Sequence, residues 1–333
     1  MTSLDIQLDR LLAVPGASVM MIAPHPDDET LASGGLLQRA HAAGAATAVV
    51  LLTDGDNNPW PQRWLERRWR IDASARAEWG RRRRGEALAA LQRLGLPRGC
   101  MQALGWHDQG LTARIAGQLG ASLETLREHL QAARPTLVIA PVLDDRHPDH
   151  SAARVLVELA LSRWTGPRPA LWGFAVHGLA PQAQSLTLSA TEQQGKALAL
   201  EAHRSQLAVA GGRWRRRIAA GEHYVVAAGA PSTCTRMDLP WNPRLPALGA
   251  CALLVACGDA SWQLPWRDGA RAGPVLLRLG PQPALEFEQV PRTAVFVKLH
   301  SQRCSVWIFD HWGWRSSAPS NALTLPGDSA SLA

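Results

Sequence analysis

Two short segments of the chain bring imidazoles and carboxylates together: Pro24-His25-Pro26-Asp27-Asp28-Glu29-Thr30 and Asp144-Asp145-Arg146-His147-Pro148-Asp149-His150. Imidazole nitrogen and carboxylate oxygen in combination suit a zinc-like divalent ion. A catalytic ion of that kind keeps three protein ligands and leaves a position for water. Prolines inside both segments restrict φ and stiffen the loops that would hold such ligands. One segment alone also reads as a loop with helix-capping aspartates, with Asp28 as an N-cap. Two of them, each directly behind an apolar run, describe a shared site.

The elements around them must bring the two segments to one place. Ser18 to Ala23 (SVMMIA), Ala48 to Thr53 (AVVLLT) and Thr136 to Ala140 (TLVIA) are short, uninterrupted apolar runs, and Met101 to Trp106 is a further strand candidate. Helical patterns lie between them, over Leu31 to Ala43, about Trp64 to Leu94, and Ala116 to Ala133. Beyond them follow a helix over Ser151 to Arg163, a strand over Ala170 to Val176 and a helix over Thr191 to Leu207. Apolar strands alternating with helices predict an α/β fold, a Rossmann-like parallel sheet flanked by helices. Such sheets place ligand sites at the carboxyl ends of their strands, which is where both segments fall.

After about Pro231 the helical periodicity fades. Short apolar runs replace it at Ala250 to Ala256, Val275 to Leu279, Thr293 to Leu299 and Ser305 to Phe309. The chain thus divides into residues 1–230, carrying the site, and a β-rich C-terminal region, 231–333, with a mobile tail. That region holds Trp241, Trp262, Trp266, Trp307, Trp312 and Trp314, which read as core residues or as an aromatic platform for a sugar or lipid.

Composition narrows the class. Apolar residues make up 46% and charged residues 19%, the balance of a globular protein rather than a disordered one. The first sixteen residues carry Asp5, Asp9 and Arg10 and do not read as a secretory leader, and no apolar run reaches bilayer-spanning length. These features lead us to expect a cytoplasmic protein, with a place at the inner face of a membrane as a further option. Cys100, Cys234, Cys251, Cys257 and Cys304 are scattered and read as buried small residues in a reducing compartment. The net charge of +7 is almost wholly arginine, Lys196 and Lys298 being the only lysines. It concentrates over Arg67 to Arg84, where Trp60, Trp64, Trp69 and Trp79 interleave with it. That segment reads either as a solvated helix face with its tryptophans packed beneath, or as a rim gripping an anionic or lipid-linked substrate. No nucleic-acid motif accompanies the charge, so nucleic acid is not expected as a partner.

The two segments resemble the motifs of the PIG-L/LmbE-like de-N-acetylases, over roughly Ser18 to Val226. Arg83-Arg84-Gly85-Glu86, Leu104-Gly105-Trp106-His107-Asp108-Gln109-Gly110, and Lys196 with His203-Arg204-Ser205-Gln206 resemble weaker motifs of the same family. That family includes enzymes acting on GlcNAc-phosphatidylinositol, on GlcNAc-inositol in mycothiol synthesis, and on sugars of glycopeptide antibiotics. The resemblance implies His25, Asp28 and His150 as metal ligands, Asp27 as the general base and His147 as the histidine assisting the tetrahedral intermediate or the leaving amine. It also implies Arg83 and Asp108 as contacts to sugar hydroxyls. Asp149 is expected to orient a histidine, and His203 is either an outer-sphere group or a plain helix histidine. Some members place a tyrosine shortly before the second motif, where it helps hold the oxyanion. Here that stretch is Leu143-Asp144-Asp145-Arg146 and the single tyrosine is Tyr224, so the metal with His147, or Arg146, would take that task.

The expected activity is removal of an acetyl group from an N-acetylated amino sugar (GlcNAc-type) by a zinc enzyme, with iron(II) as the other candidate. A cell-envelope or exopolysaccharide precursor, lipid-linked or anionic, is the substrate class the arginine and tryptophan segment favours. Two alternatives stand beside it: an amidase cleaving a larger sugar or thiol conjugate, and a non-catalytic module binding anionic glycans.

Overall fold

The computed structural model describes residues 2–178, 180–226, 235–241, 251–301 and 312–317. The helices are α1 Ser3–Leu12, α2 Asp28–Ala42, α3 Pro59–Glu66, α4 Ala73–Arg93, α5 Leu111–Ala133, α6 Pro148–Leu161, α7 Ala190–Leu200 and α8 Arg204–Ala219. Strands β1 Ser18–Ala23, β2 Ala46–Thr53, β3 Met101–Trp106, β4 Leu137–Pro141, β5 Ala170–Phe174, β6 Gln184–Leu186 and β7 Glu222–Val226 form one sheet in the order β3-β2-β1-β4-β5-β7-β6. The first five in that order run parallel, and β7 and β6 close the edge antiparallel. This is the expected α/β architecture. β1 and β4 are buried along their whole length, because helices cover both faces, which is why their sequences are apolar without alternation.

Strand order reverses between β1 and β4, where the chain goes from winding toward β3 to winding toward β5. At such a reversal the loops leaving the two strands diverge to opposite sides and open a crevice at the carboxyl edge. The first histidine–aspartate segment leaves β1 and the second leaves β4.

Three elements differ from expectation. The helix read over Trp64 to Leu94 is two helices, broken where Arg67 turns left-handed at the end of α3 (φ 51°) and Asp72 caps α4 by accepting from the Ala75 N–H. The helix read over Thr191 to Leu207 is interrupted at residues 201–203, between α7 and α8. The N-terminal segment forms α1, whose Thr2 and Asp5 make a reciprocal capping box.

Beyond residue 235 the described strands are β8 Arg236–Asp238, β9 Cys251–Cys257, β10 Ala260–Pro265, β11 Arg271–Ala272, β12 Val275–Arg278, β13 Ala284–Phe287, β14 Val295–Ser301 and β15 Arg315–Ser316. They make two four-stranded sheets, β10-β9-β14-β15 and β11-β12-β13-β8. Side chains alternate across β9: Leu253 and Val255 enter a core with Val275, Leu277 and Leu285 of the second sheet. Leu254 and Ala256 enter the core beneath α5 and α6. That double burial explains the apolar run in β9. Trp314 is fully buried and Trp241 nearly so. Trp307, Cys234, Cys304 and the run Ser305 to Phe309 lie outside the described residues, as does the tail from residue 318. Among the described residues, no helix is long and apolar enough to cross a membrane.

Candidate metal centre and catalytic site

The two segments meet. His25 Nδ1 lies 3.3 Å from His150 Nε2, and Asp28 Oδ2 lies 3.4 Å from the first and 3.2 Å from the second. Three donors around one ion at zinc–nitrogen and zinc–oxygen distances, in tetrahedral array, stand about 3.3–3.4 Å apart. The triangle therefore has the dimensions of a coordination face, and all three residues are buried. His147 also comes within reach of an ion shared with His25 and His150, but its Nδ1 accepts the Asp149 N–H at 3.2 Å.

Local structure fixes each donor. Asp28 begins α2 and accepts the His25 backbone N–H at 2.9 Å, so the carboxylate expected to compete as a helix cap is turned toward the histidines. His147 is the N-cap of α6, with Pro148 in its first turn. Both clusters thus sit at helix N-termini, whose partial positive charge favours the carboxylates of Asp28 and Asp149.

The outward nitrogens of the two histidines face carboxylates. Asp108 Oδ1 and Asp149 Oδ2 lie 3.2 and 3.4 Å from His25 Nε2, and Asp145 Oδ2 lies 3.2 Å from His150 Nδ1. Asp145 is itself held by the His147, Val176 and His177 N–H groups. Carboxylates behind ligating imidazoles set their orientation and raise their basicity. Their electrostatic effect is visible. Burial alone would lower the His25 imidazole, yet Asp108, Asp149 and Asp28 hold it well above its ordinary range. His150 is likewise raised, to about 9, against its own burial by Asp28 and Asp145. Burial would raise Asp28, and the two histidines hold it far below. The centre is built to stabilise positive charge between His25 and His150, and the donor set suits a divalent cation.

Asp27 has φ 130°, a conformation L-residues rarely adopt. Its N–H donates to Glu29 Oε2 at 2.9 Å, and Arg83 Nη2 donates to Pro26 O at 2.6 Å and approaches Asp27 Oδ2 at 3.3 Å. Burial pushes the Asp27 carboxyl up to about 6, against the pull of Arg83. Arg83 Nη1 also donates to Gly55 O at 2.6 Å. A Cβ on Gly55 would stand 1.8 Å from that nitrogen, so the close approach requires glycine.

Arg83 and Asp108, expected at sugar hydroxyls, are buried and engaged with the protein's own groups: Arg83 as above, Asp108 with His25 and with the Asn57 N–H at 2.8 Å. His203 stands behind the first motif, 2.9 Å from Glu29 Oε1 and 3.1 Å from Thr30 Oγ1. Tyr224 is buried beneath α2, its hydroxyl 2.9 Å from Ala32 O, 3.0 Å from Ser33 Oγ and 3.0 Å from Glu222 Oε2.

Sequence reasoning missed His177. It follows β5, half-buried, with its ring 5.0 Å from that of His150 and 5.3 Å from that of His147. The signal was present: a histidine closing an apolar run at the carboxyl end of a parallel strand.

Residues 20–161 match the PIG-L family, described as GlcNAc-PI de-N-acetylase. The chain is 29% identical over 171 residues to a 1D-myo-inositol 2-acetamido-2-deoxy-alpha-D-glucopyranoside deacetylase of Mycolicibacterium vanbaalenii, covering 46% of this chain and 57% of the relative. The enzyme of the same name from Mycolicibacterium paratuberculosis is 32% identical over 149 residues, covering 40% and 47%. The chain thus spans about half the length of the curated relatives it matches. Among solved structures, a conserved protein from Thermus thermophilus is similar at a TM-score of 0.49 and 26% identity, over 68% of this chain and 99% of its own. Both histidine–aspartate segments lie within residues 20–161, the span that matches the PIG-L family.

Proposed function

We propose that this chain is a metal-dependent hydrolase that removes the acetyl group from an N-acetylated amino sugar of the GlcNAc type. The observation that carries the reading is the triangle of His25 Nδ1, Asp28 Oδ2 and His150 Nε2. Two imidazoles and one carboxylate suit zinc and iron(II) alike. Such an ion supplies Lewis acidity, both to the acetyl carbonyl and to water that must lose a proton near neutral pH.

The chain's own residues do the proton work. Asp27, fixed by Arg83 and Glu29, takes the proton of the attacking water. With Nδ1 accepting from the Asp149 N–H, the neutral His147 ring bears its proton on Nε2. That N–H donates a hydrogen bond to the oxygen of the tetrahedral intermediate, and the proton Asp27 took from water passes to the departing nitrogen, because an amide nitrogen leaves poorly unless protonated. The products are acetate and the free amine. In this reading Arg83 positions Asp27, and Asp108, Asp149 and Asp145 orient the ligating histidines. The family match and the names of the relatives support GlcNAc conjugates as the substrate class.

The test is acetate release from a panel of GlcNAc conjugates by zinc- or iron(II)-loaded protein. Asp27→Asn is expected to lower turnover by about 10²–10⁴-fold, the usual worth of a general base, and His150→Ala to abolish bound metal together with activity. Full activity in both variants would sink the mechanism.

A further inference from the structure

Of the four tryptophans interleaved with arginine, only Trp79 packs inside, 1% exposed. Trp60, Trp64 and Trp69 are 60%, 72% and 78% exposed. Three such residues within ten positions, beside Leu65 at 37%, make an apolar surface that a protein facing only water has no reason to keep. The face is ordered from within: the Arg63 guanidinium lies 5.1 Å from the Trp60 ring centre and 5.4 Å from that of Trp69, and its Nε donates to Trp69 O at 3.0 Å. Arg67, Arg68 and Arg70 are exposed, and among the described residues no carboxylate comes within ion-pairing distance of them.

We propose that this face, α3 and the turn after it, docks the protein on an anionic lipid bilayer. Indole rings favour the zone between headgroups and acyl chains, where the ring is apolar and its N–H stays wet. Unpaired arginines beside them complement lipid phosphate, and the two together are the chemistry of a surface-lying amphipathic segment. Its place in the fold gives the docking a consequence. α3 leaves the carboxyl end of β2, and Asn57, three residues before Trp60, donates its N–H to Asp108, the carboxylate facing His25. Docking by α3 therefore sets the rim of the metal centre at the lipid surface, within reach of a substrate carried there. The proposal stands independently of the reaction the site performs.

Sedimentation of the full chain with vesicles of phosphatidylcholine, alone or mixed with phosphatidylglycerol, tests it. Binding is expected to the mixed vesicles in excess of the zwitterionic ones. The triple variant Trp60→Ser/Trp64→Ser/Trp69→Ser is expected to bind at least about tenfold more weakly with unchanged thermal stability. Removal of Arg67, Arg68 or Arg70 costs about fivefold each, which keeps the test available should the tryptophan variant fail to fold. Equal binding to both vesicles overturns the proposal. So does undiminished binding of the tryptophan variant, which would leave net positive charge as the whole cause. Self-association abolished by the same substitutions without lipid also overturns it, by making a second copy the occupant.

Discussion

His25 Nδ1 and His150 Nε2, contributed by segments 125 residues apart, lie 3.3 Å from one another with Asp28 between them. Two ring nitrogens at that separation cannot both bear protons comfortably, whereas one divalent ion satisfies both. Binding to the folded state alone raises stability by mass action. Zinc at a hundredfold excess over its Kd is expected to add about 2.7 kcal/mol. Calorimetry with and without zinc reads the shift, and its persistence in His150→Ala would show that the ion binds elsewhere.

Asp145 touches His150 Nδ1 from the side away from the triangle. Asp145→Asn keeps the volume and loses the charge that fixes the ring's tautomer. Metal affinity is expected to fall about 10–100-fold while the apoprotein folds normally. Competition with a chromophoric chelator measures this, and an unchanged Kd would remove Asp145 from the site.

The sequence made the parallel sheet and the meeting of the two loops legible, because strands buried on both faces are uninterrupted apolar runs and the site lies at their carboxyl ends. Asp149 was expected beside a histidine, but the places of Asp108 and Asp145 behind the ligands were not legible. Arg83 reads as one of four consecutive arginines, and only packing turns its guanidinium toward Asp27 and Gly55 while its neighbours remain at least partly exposed. The break between α3 and α4 was hidden because Arg67 adopts a left-handed turn that its residue type does not announce. The exposure of Trp60, Trp64 and Trp69 was equally hidden, since apolar rings at helical spacing usually mean a buried face.

Asp27 is held at φ 130°, a strain of the kind that persists at functional sites because the surroundings enforce it. Glycine adopts that conformation freely and alanine does not. Asp27→Gly is therefore expected to exceed Asp27→Ala in stability by about 1–2 kcal/mol, with both inactive. Denaturant titration of the pair decides it, and equal midpoints would mean the backbone relaxes once the side chain is gone.

Glu222 occupies the kink of α2 at Ser33. It accepts the Gly35 and Leu36 N–H groups at 2.7 and 3.0 Å, Lys196 Nζ at 2.7 Å and the Tyr224 hydroxyl at 3.0 Å. Glu222→Leu removes the acceptor of the Gly35 and Leu36 N–H groups and of the Lys196 ammonium, the Tyr224 hydroxyl keeping Ala32 O, and is expected to cost about 3–5 kcal/mol. Lys196→Met leaves the carboxylate three donors and is expected to cost about 2 kcal/mol less. The reverse order in chemical denaturation would contradict Glu222 as the hub of the cluster.

Asp5 ties α1 to the sheet edge, accepting from Thr2 N, Thr2 Oγ1, Thr187 N and Thr187 Oγ1 at 2.6–3.1 Å. Burial alone would raise its carboxyl, but those bonds from Thr2 and Thr187 outweigh it and hold the group well below the ordinary carboxylate range. A depressed folded-state value means the unfolded chain binds the proton more readily. The stabilisation is therefore complete above the unfolded value of about 3.9 and fades as pH falls below it. Asp5→Asn, which keeps one acceptor and removes the charge, should cost about 1–2 kcal/mol at pH 6. The gap between variant and parent should narrow steadily below pH 4, where the parent's carboxyl begins to be protonated on unfolding. Thermal melts of both proteins across that range measure the gap, and a difference independent of pH would show that Asp5 acts through shape rather than charge.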